Sequence, residues 1–325
     1  MSMRIIKAGL LDTIQDDGRY GYQHLGVNPS GAMDRFSARL ANALLGKELQ
    51  GPVLELHFPA AQILFEEDTV ICLTGADFHP VVNNKPIPLH HPVFIPANSL
   101  LAFTRHQEGA RCYLAVWQQW ELKPWLNSYS TNLKAQAGGL HGKCLERYDL
   151  IPFQKSSVTW KKAADTQVLP WKANEVVDTR KEIECLIGSE WYQLTPEARE
   201  SFLEQWFQVT HESDRMGYRL AGKPLEVTRQ PPMISAAVSF GTVQLLPNGQ
   251  LIVLMADHQT TGGYPRLAHV SKAHLPILAQ KNAGQVFRFR LVTLEEAEKK
   301  IIAQYQYLKQ LQLASGARLQ EWMAR

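Results

Sequence analysis

Three segments concentrate residues that could do chemistry. The first is Gln15-Asp16-Asp17-Gly18-Arg19-Tyr20-Gly21, continuing to Gly26-Val27-Asn28-Pro29-Ser30-Gly31. One reading is a long surface turn ending in a helix cap; the other is a loop whose backbone N–H groups and Arg19 face an anion at a helix N-terminus. The second is Ser213-Asp214-Arg215-Met216-Gly217-Tyr218-Arg219. Two arginines four apart beside an aspartate suit a surface ion-pair cluster, or a planar clamp for a carboxylate or phosphate. The third is Asp257-His258-Gln259-Thr260-Thr261-Gly262-Gly263-Tyr264-Pro265. It follows the most apolar run in the chain, Leu251 to Ala256, and delivers polar groups and a glycine pair into one loop. A strand end of that composition is a candidate pocket wall, with Gly262 and Gly263 permitting close approach of backbone to ligand.

Other chemistries lack their residues. Ala137-Gly138-Gly139-Leu140-His141-Gly142-Lys143-Cys144 fails the phosphate-loop pattern at both ends. There is no HExxH and no nucleophile elbow, and the adjacent His90-His91 would face opposite sides of a strand. No metal site is expected. The four cysteines, Cys72, Cys112, Cys144 and Cys185, form no CxxC and read as reduced thiols.

The elements that must position these residues are mostly strands. Between 51 and 117 short apolar stretches recur about every ten residues, separated by clusters such as Asn83-Asn84-Lys85-Pro86, which predicts an antiparallel barrel or sandwich. Leu54, Leu56 and Phe58 alternate with Glu55 and His57. An early helix is expected with Ser30 as cap, Met33, Phe36, Leu40 and Leu44 on one face, and Gly46 as stop. The polar stretch 156–179 reads as a connection. Beyond it, Thr195 and Pro196 start a helix, Asn248-Gly249 turns a hairpin, and Thr293 with Glu296 forms a capping box for a C-terminal helix, Leu294 to Leu313. The expected division is an N-terminal β-rich domain, 1–175, and a second β-rich domain with a C-terminal helix, 176–325.

The chain has 325 residues, 45% hydrophobic and 20% charged, with a net charge of +3. That is an ordinary globular mix with a core of its own, not a disordered chain, a disulfide scaffold or a nucleic-acid binder. No apolar run approaches the ~20 residues of a membrane span. No secretory pattern is visible in Met1 to Leu11, so a cytoplasmic location is expected.

Taken in order, the motifs resemble the allophanate-hydrolase-subunit-2, or biotin-dependent carboxyltransferase-like, family, which includes 5-oxoprolinase C subunits. The resemblance rests on Ile14 to Gly21, Ser30-Gly31-Ala32-Met33-Asp34, Ala41-Asn42, Leu54-Glu55 and Thr74-Gly75-Ala76-Asp77. It continues through Tyr113 to Val116, Ser213 to Leu220, Gly241, Gln244, Pro247, Gly249-Gln250, Asp257, and Gln259 to Pro265. It implies a mainly β fold with a few helices in two β-barrel-like parts, the second cyclophilin-like. It implies ATP-dependent opening of 5-oxo-L-proline to L-glutamate, with ATP and Mg2+ acting at an assembled complex. The implied partners are a B-type homologue, allophanate-hydrolase-subunit-1-like, and an A-type one, with this chain inactive alone. The alternatives are a non-catalytic antagonist of a kinase-inhibitor homologue, or half of a biotin-dependent carboxyltransferase acting on a urea-like amide. No biotin-carrier Met-Lys-Met occurs, so biotin is not attached to this chain. The pattern departs at Gln118-Gln119, Tyr129, Gly188-Ser189-Glu190, Ala236 and His274.

Within that reading, Asp257, Asp214 or His258 is expected to move a proton. Arg19, Arg215, Arg219, Gln259, Thr260, Thr261, Gly262, Gly263 and Tyr264 are expected to bind substrate or phosphate. The loops Asn28–Asp34 and Ser213–Arg219 are expected to form the partner-facing rim.

Overall fold

The computed structural model describes residues 2–155, 165–173, 180–228 and 233–324. The chain divides into two compact units: Met1–Gly18, Asp34–Val177 and Tyr305–Arg325 in one, Arg19–Met33 and Asp178–Gln304 in the other. The contiguous division at 175/176 differs from this at two places. Residues 19–33 join the second unit, and the end of the C-terminal helix joins the first.

The first unit is a sandwich of two six-stranded sheets. One runs in the order Leu150–Pro152, Ser2–Lys7, Gln62–Phe65, Ser99–Phe103, Pro80–Val82, Lys85–Pro86. The other runs Gln167–Val168, Pro92–Ile95, Thr69–Asp77, Glu108–Val116, Val53–Leu56, Thr13–Gln15. Ile63 and Phe65 of the first sheet and Leu73 and Leu114 of the second share one core. The expected one-sided alternation at Leu54 to Phe58 does not hold, because Val53–Leu56 is buried on both faces. Glu55 is fully buried and accepts a hydrogen bond from the Tyr113 hydroxyl at 2.8 Å.

Of the stretch 156–179, residues 156–164 and 174–179 lie outside the described residues. Between them, Gln167–Val168 pairs with Pro92–Ile95 and the buried Trp171 donates from Nε1 to Leu44 O at 3.1 Å. That portion is part of the sandwich rather than a connection.

The early helix is Arg35–Leu44, and Asp34 rather than Ser30 caps it, accepting from Ser37 N at 2.8 Å. The helix lies on the sheet holding Thr69–Asp77, where the Thr74 hydroxyl donates to Ser37 O at 2.7 Å. Met33 is outside the helix and packs in the core of the second unit.

The second unit is a closed seven-stranded barrel: Glu182–Ile187, Arg266–Val270, Thr242–Leu245, Leu251–Leu254, Gly217–Ala221, Phe207–Val209, Val286–Leu291. The last strand closes on the first in parallel; every other neighbouring pair is antiparallel. Alternation puts Tyr218, Leu220, Val243, Leu245, Leu251 and Val253 into the core. Helix Pro196–Glu204, with Thr195 capping at 3.1 Å, stacks Phe202 on Phe289. The hairpin loop is Pro247-Asn248-Gly249, with Gly249 at φ +77° and closing bonds from Gly249 N to Leu246 O and Leu246 N to Gln250 O. It is a three-residue turn at the place the sequence marks for the hairpin. The Thr293–Glu296 box forms reciprocally, and its helix runs Leu294–Ala324, beyond the expected Leu313. Among the described residues no helix is long and apolar enough to cross a membrane.

Candidate functional site

Strand register places Arg219, Ile252 and Gln244 in one row across three neighbouring strands of the barrel. Their neighbours Tyr218, Val253 and Val243 point into the core, so this row faces outward. A two-stranded ribbon, Ala236–Ala237 paired with Thr261–Gly262, adds cover outside the barrel sheet. Val238 N donating to Thr260 O at 3.1 Å extends the ribbon.

Beside the row lies a pocket of about 350 Å³, lined by polar Arg219, Gln244, Asn248, Gln259 and Tyr264 and apolar Leu246, Pro247, Ile252 and Leu254. The volume suits a small molecule. The Arg219 side chain is 49% exposed and pairs with the more exposed Glu212 at 3.6 Å. Such a surface pair contributes roughly 0–1 kcal/mol and leaves the guanidinium able to take a carboxylate.

Gln244 is different. It points outward yet is 1% exposed. Its Nε2 donates to Tyr264 O at 3.4 Å, while Oε1 is buried and has no hydrogen-bond partner among the described residues. A buried acceptor left unmatched costs roughly 1–3 kcal/mol. Gly262 leaves room for this amide: a Cβ there would stand 2.6 Å from Gln244 Nε2. Gly263 has no such constraint, since a Cβ would meet Ser235 Oγ at an ordinary 3.6 Å.

The ribbon is braced from the side. Arg266 forms an ion pair with Glu190 at 2.8 Å and also donates to Ala237 O at 3.4 Å. The hydrogen bonds from Arg266 hold the Glu190 carboxyl below the usual range.

The structure separates the residues expected from sequence. Arg219, Gln259 and Tyr264 line the pocket; Gly262 packs on its buried wall. Thr261 is exposed in the ribbon, and Thr260 contributes its carbonyl. Arg215 and Asp257 form a buried two-point ion pair instead, Nε to Oδ2 at 2.7 Å and Nη2 to Oδ1 at 3.2 Å. Arg215 Nη2 also reaches Gly31 O at 2.8 Å, and Asn28 Nδ2 donates to Asp257 O at 2.9 Å. This network ties the segment 19–33 to the barrel. Ser30 to Met33 are fully buried and form no rim. Asp214 is exposed and its carboxylate closes a turn by accepting from Met216 N and Gly217 N. His258 is buried, with Nδ1 2.5 Å from Gln259 O, so Nδ1 carries the proton. Arg19 is 1% exposed and does not line the pocket.

In the first unit, Asp16 accepts from Gly18 N, the Ser128 hydroxyl and Tyr129 N, and Asp17 pairs with Arg39 at 2.6 Å. That start of the first motif is a bonded turn. Gln244 lies outside the set of expected site residues. Its signal in the sequence is a polar residue alternating with the core-facing Val243 and Leu245.

Residues 25–291 match the family model for the carboxyltransferase domain, subdomain A and B. The chain belongs to this family. It is 36% identical to the 5-oxoprolinase C subunit of Escherichia coli over 95% of this chain and 97% of that protein. It is 35% identical to the 5-oxoprolinase C subunit of Haemophilus influenzae over 88% of this chain and 90% of that protein. Among solved structures, K. lactis urea amidolyase superposes with a TM-score of 0.88 at 23% identity, over 95% of this chain. The chain covers 20% of that much larger protein, and the likeness is one of fold.

Proposed function

We propose that this chain is the C subunit of an ATP-dependent 5-oxoprolinase, opening 5-oxo-L-proline to L-glutamate together with B-type and A-type partner chains. The observation that carries the reading is near full-length similarity, at 36% identity, to a protein of that name. The outer-face pocket supports it. A cyclic amide acid presents a carboxylate, a planar amide and ring methylenes. Arg219, the amides of Gln244, Gln259 and Asn248, and the floor of Ile252, Leu254, Leu246 and Pro247 answer each of these in turn.

The lactam carbonyl is a poor electrophile because amide resonance protects it. ATP would supply the activation: its γ-phosphoryl group passes to the carbonyl oxygen with release of ADP, one water adds at the carbonyl carbon, the C–N bond breaks as the nitrogen leaves as the amine, and a second water releases phosphate from the acyl phosphate that remains. The pocket's lining holds one guanidinium and no carboxylate, which fits a small monoanion and not a magnesium triphosphate. The nucleotide therefore belongs to the assembled complex rather than to this pocket. The chain's own part is to bind the acid through Arg219, orient the ring on the apolar floor and cover it with Tyr264. Cytoplasmic location follows the same reading. Carboxyl transfer to a urea-like amide is the second reading, and the similarity to urea amidolyases favours it: 28% identity to the Saccharomyces cerevisiae protein over 91% of this chain. Urea, having no carboxylate, leaves Arg219 unused.

The test is co-purification with the two candidate partners and an assay of ATP-dependent glutamate release from 5-oxoproline. Release by the three-chain complex and none by the single chain is expected. A complex that consumes no 5-oxoproline, or a single chain that does, rejects the reading.

A further inference from the structure

We infer that Ile252, folded over Gly217, sets the size of ligand that the outer-face pocket accepts: a small cyclic acid whose apolar ring rests on Ile252 while its carboxylate pairs with Arg219. The inference rests on the lactam-opening reading and names the residues that would limit ring size. Gly217 and Arg219 are two apart on strand Gly217–Ala221, with the core-facing Tyr218 between them, so both face outward. Register sets Gly217 opposite Leu254 and Arg219 opposite Ile252. Gly217 has no side chain to offer on this face, and Ile252 leans diagonally into the gap. A Cβ at Gly217 would stand 2.7 Å from Ile252 Cδ1 and 2.9 Å from its Cγ1, whereas the next atom, Val253 O, is at an ordinary 3.4 Å. Gly217 has no positive φ, so its backbone would accept a side chain. What the glycine provides is room for Ile252.

That room bears on the pocket. Ile252 is half-buried and lines the pocket with Arg219, Leu254 and Tyr264. The barrel sheet lies beneath its side chain and Leu254 beside it on the same face, so an Ile252 pushed off Gly217 moves into the pocket space. Arg219 and Tyr264 are both open to solvent, so a ligand reaches them from outside. In a lactam acid with the carboxylate next to nitrogen, the first ring methylene is attached to the same carbon as the carboxylate. A carboxylate on Arg219 therefore brings ring methylenes to the side chain directly opposite, Ile252. The discrimination at Ile252 is by volume. One methylene more or less in an apolar pocket changes affinity roughly ten- to two-hundred-fold.

The experiment measures binding to the full chain and to the assembled complex by calorimetry. The probes are 5-oxo-L-proline and its homologues with four- and six-membered rings, each with the carboxylate next to nitrogen. Gly217→Ala should lower the affinity for the five-membered ring, relative to the four-membered one, by roughly ten- to two-hundred-fold, and the six-membered ring should lose more. Ile252→Val removes Cδ1, the atom that the new Cβ meets first, and should restore the ratio in the Gly217→Ala background. On its own Ile252→Val should favour the six-membered ring over the five-membered one by roughly ten-fold, and it decides the matter if Gly217→Ala fails to fold. Arg219→Gln should weaken all three rings alike, which ties the binding to this pocket. Ring ratios unmoved in both Gly217→Ala and Ile252→Val, an altered ratio that Ile252→Val does not restore, binding untouched by Arg219→Gln, or no binding of any ring overturns the inference. Glutamate release by a complex whose ring ratios do not move leaves the lactam-opening reading standing without the inference. Ratios that move as expected in a complex that releases no glutamate do the reverse.

Discussion

The glycine pair in the third motif separates into two different residues once packing is considered. At Gly262 a Cβ would press on the Gln244 amide, the end of a flexible side chain, so the amide shifts before the backbone does. At Gly263 the space is ordinary. Gly263→Ala is therefore expected to keep both melting temperature and ligand affinity. Gly262→Ala should melt within a few degrees of the unaltered chain while losing affinity, and parallel melting and binding curves check this. Asp257 invites the opposite mistake. Both its carboxylate oxygens accept from Arg215, and the pair is buried. Asp257→Ala leaves a buried guanidinium without its counter-charge and should cost roughly 3–5 kcal/mol of stability. Denaturant unfolding would show whether activity falls in step; activity lost at normal stability would return Asp257 to the catalytic candidates.

Elements set by local rules are legible in the sequence, and elements set by distant contacts are not. Thr195 with Pro196, and Thr293 with Glu296, cap their helices as expected, because a cap involves residues three apart. Ser30 misleads because Asp34, four residues on, takes the same role and the chain at Ser30 has a positive φ of 54°. Gln244 and Glu55 escape as buried groups for one physical reason: their covers come from other parts of the chain. The candidate site is legible to the extent of its loop, since Gln259 and Tyr264 do line a pocket. The arginine of the second motif that reaches it is Arg219, on strand Gly217–Ala221, whereas Arg215 precedes that strand and is buried on Asp257. The long helix Leu294–Ala324 offers a test of close backbone packing. A Cβ at Gly46 would stand 2.4 Å from Gly316 Cα, and Gly46 has φ +66°. From the other side, a Cβ at Gly316 would stand 3.5 Å from Gly46 Cα. Gly46→Ala should therefore cost about 3 kcal/mol, combining overpacking and left-handed backbone strain. Gly316→Ala should be neutral or stabilise by up to about 1 kcal/mol through helix propensity. Thermal melting of the two variants distinguishes them, and equal losses would refute the asymmetry.

At the scale of the whole chain, stability carries a pH dependence from buried charge. Lys47 in the first unit donates to Val116 O and Gln118 O, and burial pushes its ammonium down to about 7. The folded state thus binds this proton less tightly than the unfolded one. Its contribution raises stability as pH climbs from about 7 toward 10.5 and is constant below that window. Lys47→Met should flatten this slope, worth on the order of 5 kcal/mol, in denaturant unfolding run across that range. The chain also crosses between its two units four times, which makes a cut in the middle uninformative about either. A fragment 176–325 would lack Gly31 O for Arg215, Asn28 for Asp257 O, and Met33 for the barrel core. A fragment 1–175 would lack Gln312, which donates to Lys47 O at 2.6 Å, and Trp322, whose ring lies 5.6 Å from that of Phe94. Each fragment leaves buried polar groups unmatched, at roughly 1–3 kcal/mol apiece, and core volume empty, losses comparable with the roughly 5–15 kcal/mol margin of a domain. Neither fragment alone should show a cooperative melt or dispersed amide resonances. A fragment 178–304 with residues 19–33 joined to it by a flexible linker should show both. A cooperative melt of 176–325 at the temperature of the intact chain would mean that the 19–33 segment merely rests on the barrel.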